Sequence, residues 1–138
     1  MAIRLRIRFI RENVERKVIA LTKSGYETLE PEILVSSDVA RELLLYPQLP
    51  PGSLVKEYRL ADISSSKLIK IPKAVKIYVV EEDRVVGPVE SSVVIAEKAE
   101  EPLISDKLAG RLGIVAIDIG EGLWCFRDEI GRVVRRTK

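Results

Sequence analysis

The sequence predicts a mostly β fold, a small closed or nearly closed β-barrel that carries two short helices. Short stretches of alternating or continuous apolar residues recur along the whole chain of 138 residues, as in a series of successive strands. Only two stretches carry the N-terminal signals of a helix. Helices therefore do not alternate with strands as they do in a parallel βαβ sheet, and an all-β barrel fits the pattern better.

The clearest strands lie near the N-terminus. Residues 3–9 alternate between apolar side chains and arginines, which predicts a half-buried strand with one arginine face. Residues 14–22 predict a second strand, and its nearly continuous apolar end indicates a central position in the sheet. Residues 23–25, Lys-Ser-Gly, predict a turn directly after that strand.

Each helix is predicted from its N-cap. The first follows Ser-Ser-Asp at residues 36–38 and ends before Pro47. The second follows Ser105 and ends at Gly113, a residue that suits the position after a helix. The other predicted strands cover residues 33–35, 55–61, 67–71, 75–80, 85–89, 92–96, 114–119 and 123–126. We interpret residues 1–138 as one domain with a basic C-terminal tail at 131–138.

Composition excludes several classes of site. Cys125 is the only cysteine and histidine is absent, which removes disulfides, Ser-His and Cys-His nucleophiles, and most zinc sites. We therefore expect no cofactor and no metal. The formal net charge is +2, too close to neutral to indicate a nucleic-acid partner by itself.

The composition also bears on where the protein works. Asparagine and glutamine are scarce while charged and β-branched residues abound, a profile similar to that of thermophile proteins. No apolar run is long enough to span a bilayer, and the first residues do not form a signal peptide. We expect a cytoplasmic protein without a membrane partner.

Three segments, taken in order, resemble the retropepsin-like aspartic proteases. The first is Ala-Leu-Thr-Lys-Ser-Gly-Tyr at residues 20–26, which corresponds to the apolar strand and Asp-Thr-Gly turn of that family. The second is Arg-Leu-Ala-Asp at 59–62, similar to the start of the flap hairpin. The third, at 101–114, resembles the C-terminal strand and helix of the family, and the resemblance covers residues 20–118. It implies a half-size acid-protease barrel that pairs as a homodimer.

The resemblance fails at the catalytic motif. In that family, two aspartates from two protomers share a proton and activate a water molecule. Here the motif positions hold Lys23, Ser24 and Gly25, and an ammonium group cannot take the proton of the attacking water. The flap-like hairpin carries Asp62 and Ile63, where the family prefers glycine at the second position. We therefore expect no catalytic residues and interpret the chain as a binding or scaffold protein that grips an extended peptide beneath the Asp62 hairpin.

Two alternatives remain open. A peptidase with a displaced dyad would draw its carboxylates from Asp62, Asp106 and Asp118. Separately, Lys23 would be a retasked active-site amine that acts as a base or forms a Schiff base. Each of these residues also has an ordinary structural interpretation. Asp62 would be a polar hairpin residue, Asp106 a helix cap and Asp118 a strand-end residue. Lys23 would be a solvent-exposed turn lysine. Nucleic-acid binding would use a basic patch. That patch contains Arg4, Arg6, Arg8, Arg135 and Arg136. No aromatic residue interleaves with these arginines, so a nucleic-acid partner is not favoured.

Overall fold

The computed structural model describes residues 2–59 and 65–138, and these form a mostly β structure with two short α-helices. The elements in chain order are β1 (Arg4–Arg11), β2 (Val14–Thr22), β3 (Glu32–Val35), α1 (Ser37–Glu42), β4 (Leu54–Arg59), β5 (Ser65–Val80), β6 (Val85–Ile95), β7 (Leu103–Ile104), α2 (Asp106–Arg111), β8 (Ile114–Asp118), β9 (Leu123–Phe126) and β10 (Arg135–Arg136). One 3₁₀ turn, Arg127–Glu129, lies between β9 and β10.

Seven strands form one sheet in the order β1-β2-β7-β3-β6-β5-β4. Strand β1 also pairs with β5, which closes six of the strands into a ring and leaves β4 outside it, on β5. Most neighbours are antiparallel, but β3 runs parallel to β6 and β2 runs parallel to β7. The remaining strands form a second sheet in the order β10-β9-β8. The expectation of many strands with two helices is confirmed.

The alternation in β1 determines which side chains fill the ring. Leu5, Ile7 and Phe9 have no exposed surface and join the main apolar core, whereas the arginines between them point outward. This follows from the two-residue period of a strand, which sends alternate side chains to opposite faces. Burying each large apolar side chain contributes about 1.5–3 kcal/mol, so β1 is a major contributor to the core.

Both helices begin at the serine that the sequence indicates. The Ser36 hydroxyl accepts a hydrogen bond from the Val39 N–H at 3.3 Å, and the Ser105 hydroxyl accepts one from Leu108 at 3.2 Å. These bonds satisfy N–H groups that have no partner within the helix. Gly113 follows α2 with φ +77°, the left-handed conformation expected after a helix end.

Two pairs of predicted strands are single strands in the structure. The stretches 67–71 and 75–80 belong to β5, which continues through Pro72 because the pairing register with β6 shifts there and Lys73 adopts φ +48°. A proline is tolerated at such a bulge, since no ladder hydrogen bond is required of it. Likewise, 85–89 and 92–96 form the single strand β6.

The C-terminal residues 131–138 do not form a separate basic tail. Arg135 pairs with Trp124 in the second sheet, and its guanidinium lies 5.1 Å from the centroid of the Phe126 ring. The Lys138 N–H donates to the carbonyl of Arg4 at 3.0 Å. Arg135 is the only buried residue of this segment and most of the others are exposed, so the segment is held against the second sheet and β1 by these few contacts. Among the described residues, no helix is both long and apolar enough to cross a membrane.

Candidate functional site

The Lys-Ser-Gly turn lies immediately after β2. The Lys23 N–H donates to the carbonyl of Ile104 at 3.4 Å, and the Tyr26 N–H donates to the carbonyl of Lys23 at 3.2 Å. Gly25 has φ +89°, a conformation that glycine adopts at little cost. Lys23, Ser24 and Gly25 are all exposed. The turn therefore directly follows β2, as the sequence predicts, and all three of its residues are exposed.

A buried ionic cluster lies behind this turn. Glu32, the first residue of β3, has no exposed surface. Its Oε1 accepts hydrogen bonds from the phenols of Tyr26 at 3.0 Å and Tyr58 at 2.8 Å. Its Oε2 lies 2.9 Å from the ammonium of Lys70, a side chain that is 9% exposed. We call Tyr26, Glu32, Tyr58 and Lys70 the Glu32 cluster.

Two further charges border the Glu32 cluster. The Lys70 ammonium lies 2.7 Å from Oε1 of Glu30, and the Lys56 ammonium lies 4.0 Å from Oε2 of Glu32. Two carboxylates therefore face two ammonium groups. Buried charges are costly unless they are paired and hydrogen-bonded. Lys70 supplies the opposite charge for the buried Glu32 carboxylate, and the two phenols supply its hydrogen bonds.

The backbone holds Glu32 firmly in place. The Glu32 N–H donates to the hydroxyl of Ser105 at 3.1 Å, and the Ser105 N–H donates to the carbonyl of Glu32 at 3.0 Å. Because Ser105 is also the N-cap of α2, the position of Glu32 depends on this helix. The Asp106 N–H donates to the carbonyl of Tyr26 at 2.9 Å, which ties a second member of the cluster to the same helix.

The environment shifts the pKa values of the two phenols, of Lys70 and of Glu30 away from neutral pH. Burial, and then the nearby Glu32 carboxylate, raises the pKa of the Tyr26 phenol. Burial and the hydrogen bond to Glu32 raise the pKa of Tyr58. Burial alone would lower the pKa of Lys70, but its bonds to Glu30 and Glu32 outweigh burial and raise it. The hydrogen bond from Lys70 lowers the pKa of Glu30. Both phenols and the amine are thus proton donors, and none is poised as a general base.

The aspartates considered for a displaced dyad have separate local roles. Asp106 is exposed in the first turn of α2, where a carboxylate favours the helix. Asp118 is exposed at the end of β8 and accepts a hydrogen bond from the Glu121 N–H at 3.1 Å. Asp62 and Ile63 of the flap-like hairpin lie outside the described residues.

The arginines proposed as a basic patch fall into two groups. Arg4, Arg6 and Arg8 share the outward face of β1. Arg135 is 8% exposed and belongs to a different, buried cluster, whereas its neighbour Arg136 is exposed. The five side chains therefore do not form a single surface.

The buried cluster of Arg135 clamps the second sheet to the ring. Its guanidinium lies 2.7 Å from the Glu129 carboxylate and 2.8 Å from that of Asp83. Arg84 lies 3.2 Å from the same Glu129 and 2.8 Å from Asp128. These contacts join β10 to the turn between β5 and β6, so we assign them a structural role.

Exposed apolar side chains adjoin members of the Glu32 cluster along the chain and across the β4–β5 pair. Leu29, two residues after Glu27 in the loop and next to Glu30, is 96% exposed. Leu54 (45% exposed) is the cross-strand partner of Lys70, and Val55 (66% exposed) follows it in β4. Leu54 shares a face of the β4–β5 pair with Lys70, whereas Val55 lies on the other face. Large exposed apolar side chains at a strand edge occur at binding sites. We call Leu29, Leu54 and Val55 the apolar rim.

The depression beside Glu30 does not resemble a site for a small organic ligand. Its volume is about 390 Å³, and its lining includes Glu30, Lys73, Glu90 and Arg111. Small-molecule sites are mostly apolar with a few polar groups, whereas this lining is largely charged. Within residues 2–59 and 65–138, no group of three or more His, Cys, Asp or Glu side chains could hold a metal ion.

Sequence reasoning missed the Glu32 cluster. Its members come from a loop and from β3, β4 and β5, and only strand pairing brings them together. One signal was present, since Lys70 interrupts an apolar stretch between Ile69 and Ile71. No model of a known protein family matches the chain, and no curated protein matches it either.

Proposed function

We propose that this chain is a non-catalytic binding protein with a retropepsin-like barrel, and that its ligand is an extended peptide. The observation that carries the proposal is the apolar rim, which borders a closed ionic cluster at the base of the β4–β5 hairpin. The rim supplies apolar contact area, while the buried cluster provides a rigid support beneath it.

The edge of β4 gives the peptide a mode of binding. Within the described chain β4 pairs only with β5, so the main-chain groups on its other edge have no strand partner. An extended peptide that pairs with such an edge gains main-chain hydrogen bonds, and pockets for alternate side chains provide selectivity. Leu54 and Val55 point to opposite faces of β4, so a bound peptide would contact an apolar side chain on each face.

The chemistry of the site supports binding without hydrolysis. Lys23 stands at the motif aspartate, and an ammonium cannot activate water. Glu32, the buried carboxylate nearest the turn, already accepts two phenol hydrogen bonds and contacts Lys70. It would have to break these contacts to serve as a base.

We include a homodimer in the proposal, as the family resemblance implies. Strand β8 pairs only with β9 in the described chain, and Ile117 (48%) and Ile119 (58%) are exposed at that end of the molecule. A strand with one unpaired edge and exposed apolar residues beside it favours pairing with a second copy of the chain. Sedimentation of wild type and Ile117→Lys would test this, and a wild-type monomer at all concentrations would contradict it.

A selection experiment tests the peptide proposal. Linear peptides displayed on phage would be selected on the immobilised protein, and their affinities measured by calorimetry. We expect Val55→Asp and Leu29→Asp to weaken binding about tenfold or more, because each places a charge in the apolar contact. Ile130→Asp, an equally exposed control elsewhere, should leave binding unchanged (Ile130 is 62% exposed). Selected peptides that bind the rim variants as tightly as wild type would refute the assigned surface.

A separate assay tests the absence of hydrolysis. Denatured casein incubated with the protein at acid to neutral pH should remain intact. Lys23→Asp alone should not restore cleavage, because the groups around the turn have also changed. Turnover by the unmodified chain that is lost when one aspartate is replaced by asparagine would overturn the proposal in favour of a displaced dyad.

A further inference from the structure

The outward face of β1, β2 and β5 is rich in cations. Strand β1 contributes Arg6 and Arg8, β2 contributes Lys17, and β5 contributes Lys76 and Tyr78. Arg6, Lys17 and Lys76 are exposed, and Tyr78 is half-buried. We call these five residues the arginine face. It belongs to the side of the ring opposite to the buried apolar side chains of β1.

Like charges oppose each other on the arginine face. Arg8 and Lys17 are direct cross-strand partners in the β1–β2 pair. Two cations in this position destabilise a sheet, and an anion that contacts both would remove the repulsion. Arg6 and Lys17 form no ion pair with any residue in the described ranges 2–59 and 65–138. This arrangement suits a ligand that supplies negative charge.

Some carboxylates do share this surface. Oε1 of Glu15 lies 3.8 Å from Nε of Arg8, and Glu90 is the cross-strand partner of Lys76. Each of these carboxylates faces one cation. Arg6 and Lys17 remain without a matching carboxylate, so the centre of the face stays positive.

An aromatic ring lies among the cations. Tyr78 is the cross-strand partner of Arg8 on the β5 side, and the Arg8 guanidinium lies 4.7 Å from the centroid of the Tyr78 ring. Both arginine planes and aromatic rings stack on nucleic-acid bases. Along the chain no aromatic residue interleaves with the arginines, so the sequence alone does not favour a nucleic-acid partner. Strand pairing supplies the ring that chain order does not show.

We propose that the arginine face binds single-stranded nucleic acid. Arg6 and Lys17 are diagonal neighbours across the β1–β2 pair, so they lie about 7–8 Å apart, a spacing comparable with that of successive phosphates in an extended single strand. Arg6 and Lys17 would contact phosphates, and the stacked Arg8 and Tyr78 would contact a base. A single strand fits better than a duplex because only an unpaired base exposes its face for stacking. The site is independent of the peptide site at β4.

Fluorescence anisotropy with labelled oligouridylate and oligothymidylate, each about ten nucleotides long, tests this proposal at low salt. Binding should weaken with salt, with a slope of log K against log salt of about −1.4 for the two phosphate contacts. Lys17→Ala and Arg6→Ala should each reduce this slope by about 0.7. Tyr78→Leu should weaken binding about tenfold with the slope unchanged, while Tyr78→Phe should retain binding.

Lys107→Ala, which removes an exposed cation on α2, is the matched control and should bind as wild type does. Binding of either oligonucleotide with this pattern supports the proposal. No binding at about 20 mM salt, or wild-type binding by Lys17→Ala and Arg6→Ala, would refute it. Binding to phosphatidylserine vesicles without binding to either oligonucleotide would also refute it, and would identify a lipid surface instead.

Discussion

The Glu32–Lys70 contact can be tested by a double-mutant cycle with Glu32→Leu and Lys70→Met. Glu32 has no exposed surface and the Lys70 side chain is 9% exposed, with 2.9 Å between Oε2 and the ammonium. Each single replacement leaves one buried charge without its main partner. The double replacement removes both charges and inserts apolar side chains of similar size. The cycle therefore separates the pair interaction from the loss of each side chain.

The expected magnitudes follow from the remaining contacts. Removing one partner of a buried ion pair costs about 3–5 kcal/mol. Lys70→Met should cost about 3 kcal/mol, because two phenols still donate to Glu32. Glu32→Leu should cost about 2–3 kcal/mol, because Lys70 keeps Glu30 at 2.7 Å. The double replacement still leaves the phenols of Tyr26 and Tyr58 without their acceptor, so it should cost about 3 kcal/mol. The coupling free energy between Glu32 and Lys70 should then be favourable by about 2–3 kcal/mol.

The assay is urea unfolding followed by the fluorescence of Trp124, the only tryptophan and a fully buried one. The matched control is the cycle for Arg41 and Asp38, an exposed ion pair at 3.0 Å on α1. Its coupling should be at most about 0.5 kcal/mol. A Glu32–Lys70 coupling as small as that of the control would show that the buried contact is absent in solution.

Two pH dependences follow from other groups. Hydrogen bonds from Arg135 lower the pKa of Glu129 from 4.5 to about 2, so its stabilising contribution is present above pH 4.5 and is lost as the pH falls towards about 2. After allowance for solvent screening, Glu129→Gln should lower the free energy of unfolding by about 1–2 kcal/mol at neutral pH. The urea concentration at the unfolding midpoint should then decrease less steeply as the pH falls below 4.5. The raised pKa values of Tyr26 and Tyr58 affect the free energy of unfolding at alkaline pH. Above pH 10.0 the unfolded chain releases phenol protons that the native state retains. Stability should fall above that pH by at most about 1.4 kcal/mol per pH unit for each phenol, and phenol absorbance that titrates fully before unfolding would contradict this.

Local patterns were sufficient to predict most strands and both helix starts. The bounds of β2 agree with the predicted residues 14–22 because its ends are marked by a turn on either side. The helices begin at Ser36 and Ser105 because a hydroxyl before an apolar run satisfies free N–H groups. Pro72 misled the prediction of β5, since a bulge absorbs a proline that a regular central strand would not tolerate.

The sites could not be predicted in the same way, because they depend on pairing between distant parts of the chain. Tyr58 and Glu32 are 26 residues apart and meet only because strand β4 lies over the start of β3. Tyr78 reaches Arg8 only because β5 pairs with β1. A single sequence shows the period of each strand, but it does not show which strands are neighbours.

The protonation states at the Glu32 cluster argue for recognition and against acid–base chemistry. A hydrolytic dyad needs a group whose proton moves easily near the working pH, so its pKa must lie close to that pH. Around Glu32 the pKa values of the phenols and of Lys70 are raised, and that of Glu30 is lowered. Each shift moves a group away from neutral pH and strengthens an existing contact. A site built in this way keeps a fixed charge pattern and geometry when the pH changes, which is what a rigid surface for an extended ligand requires.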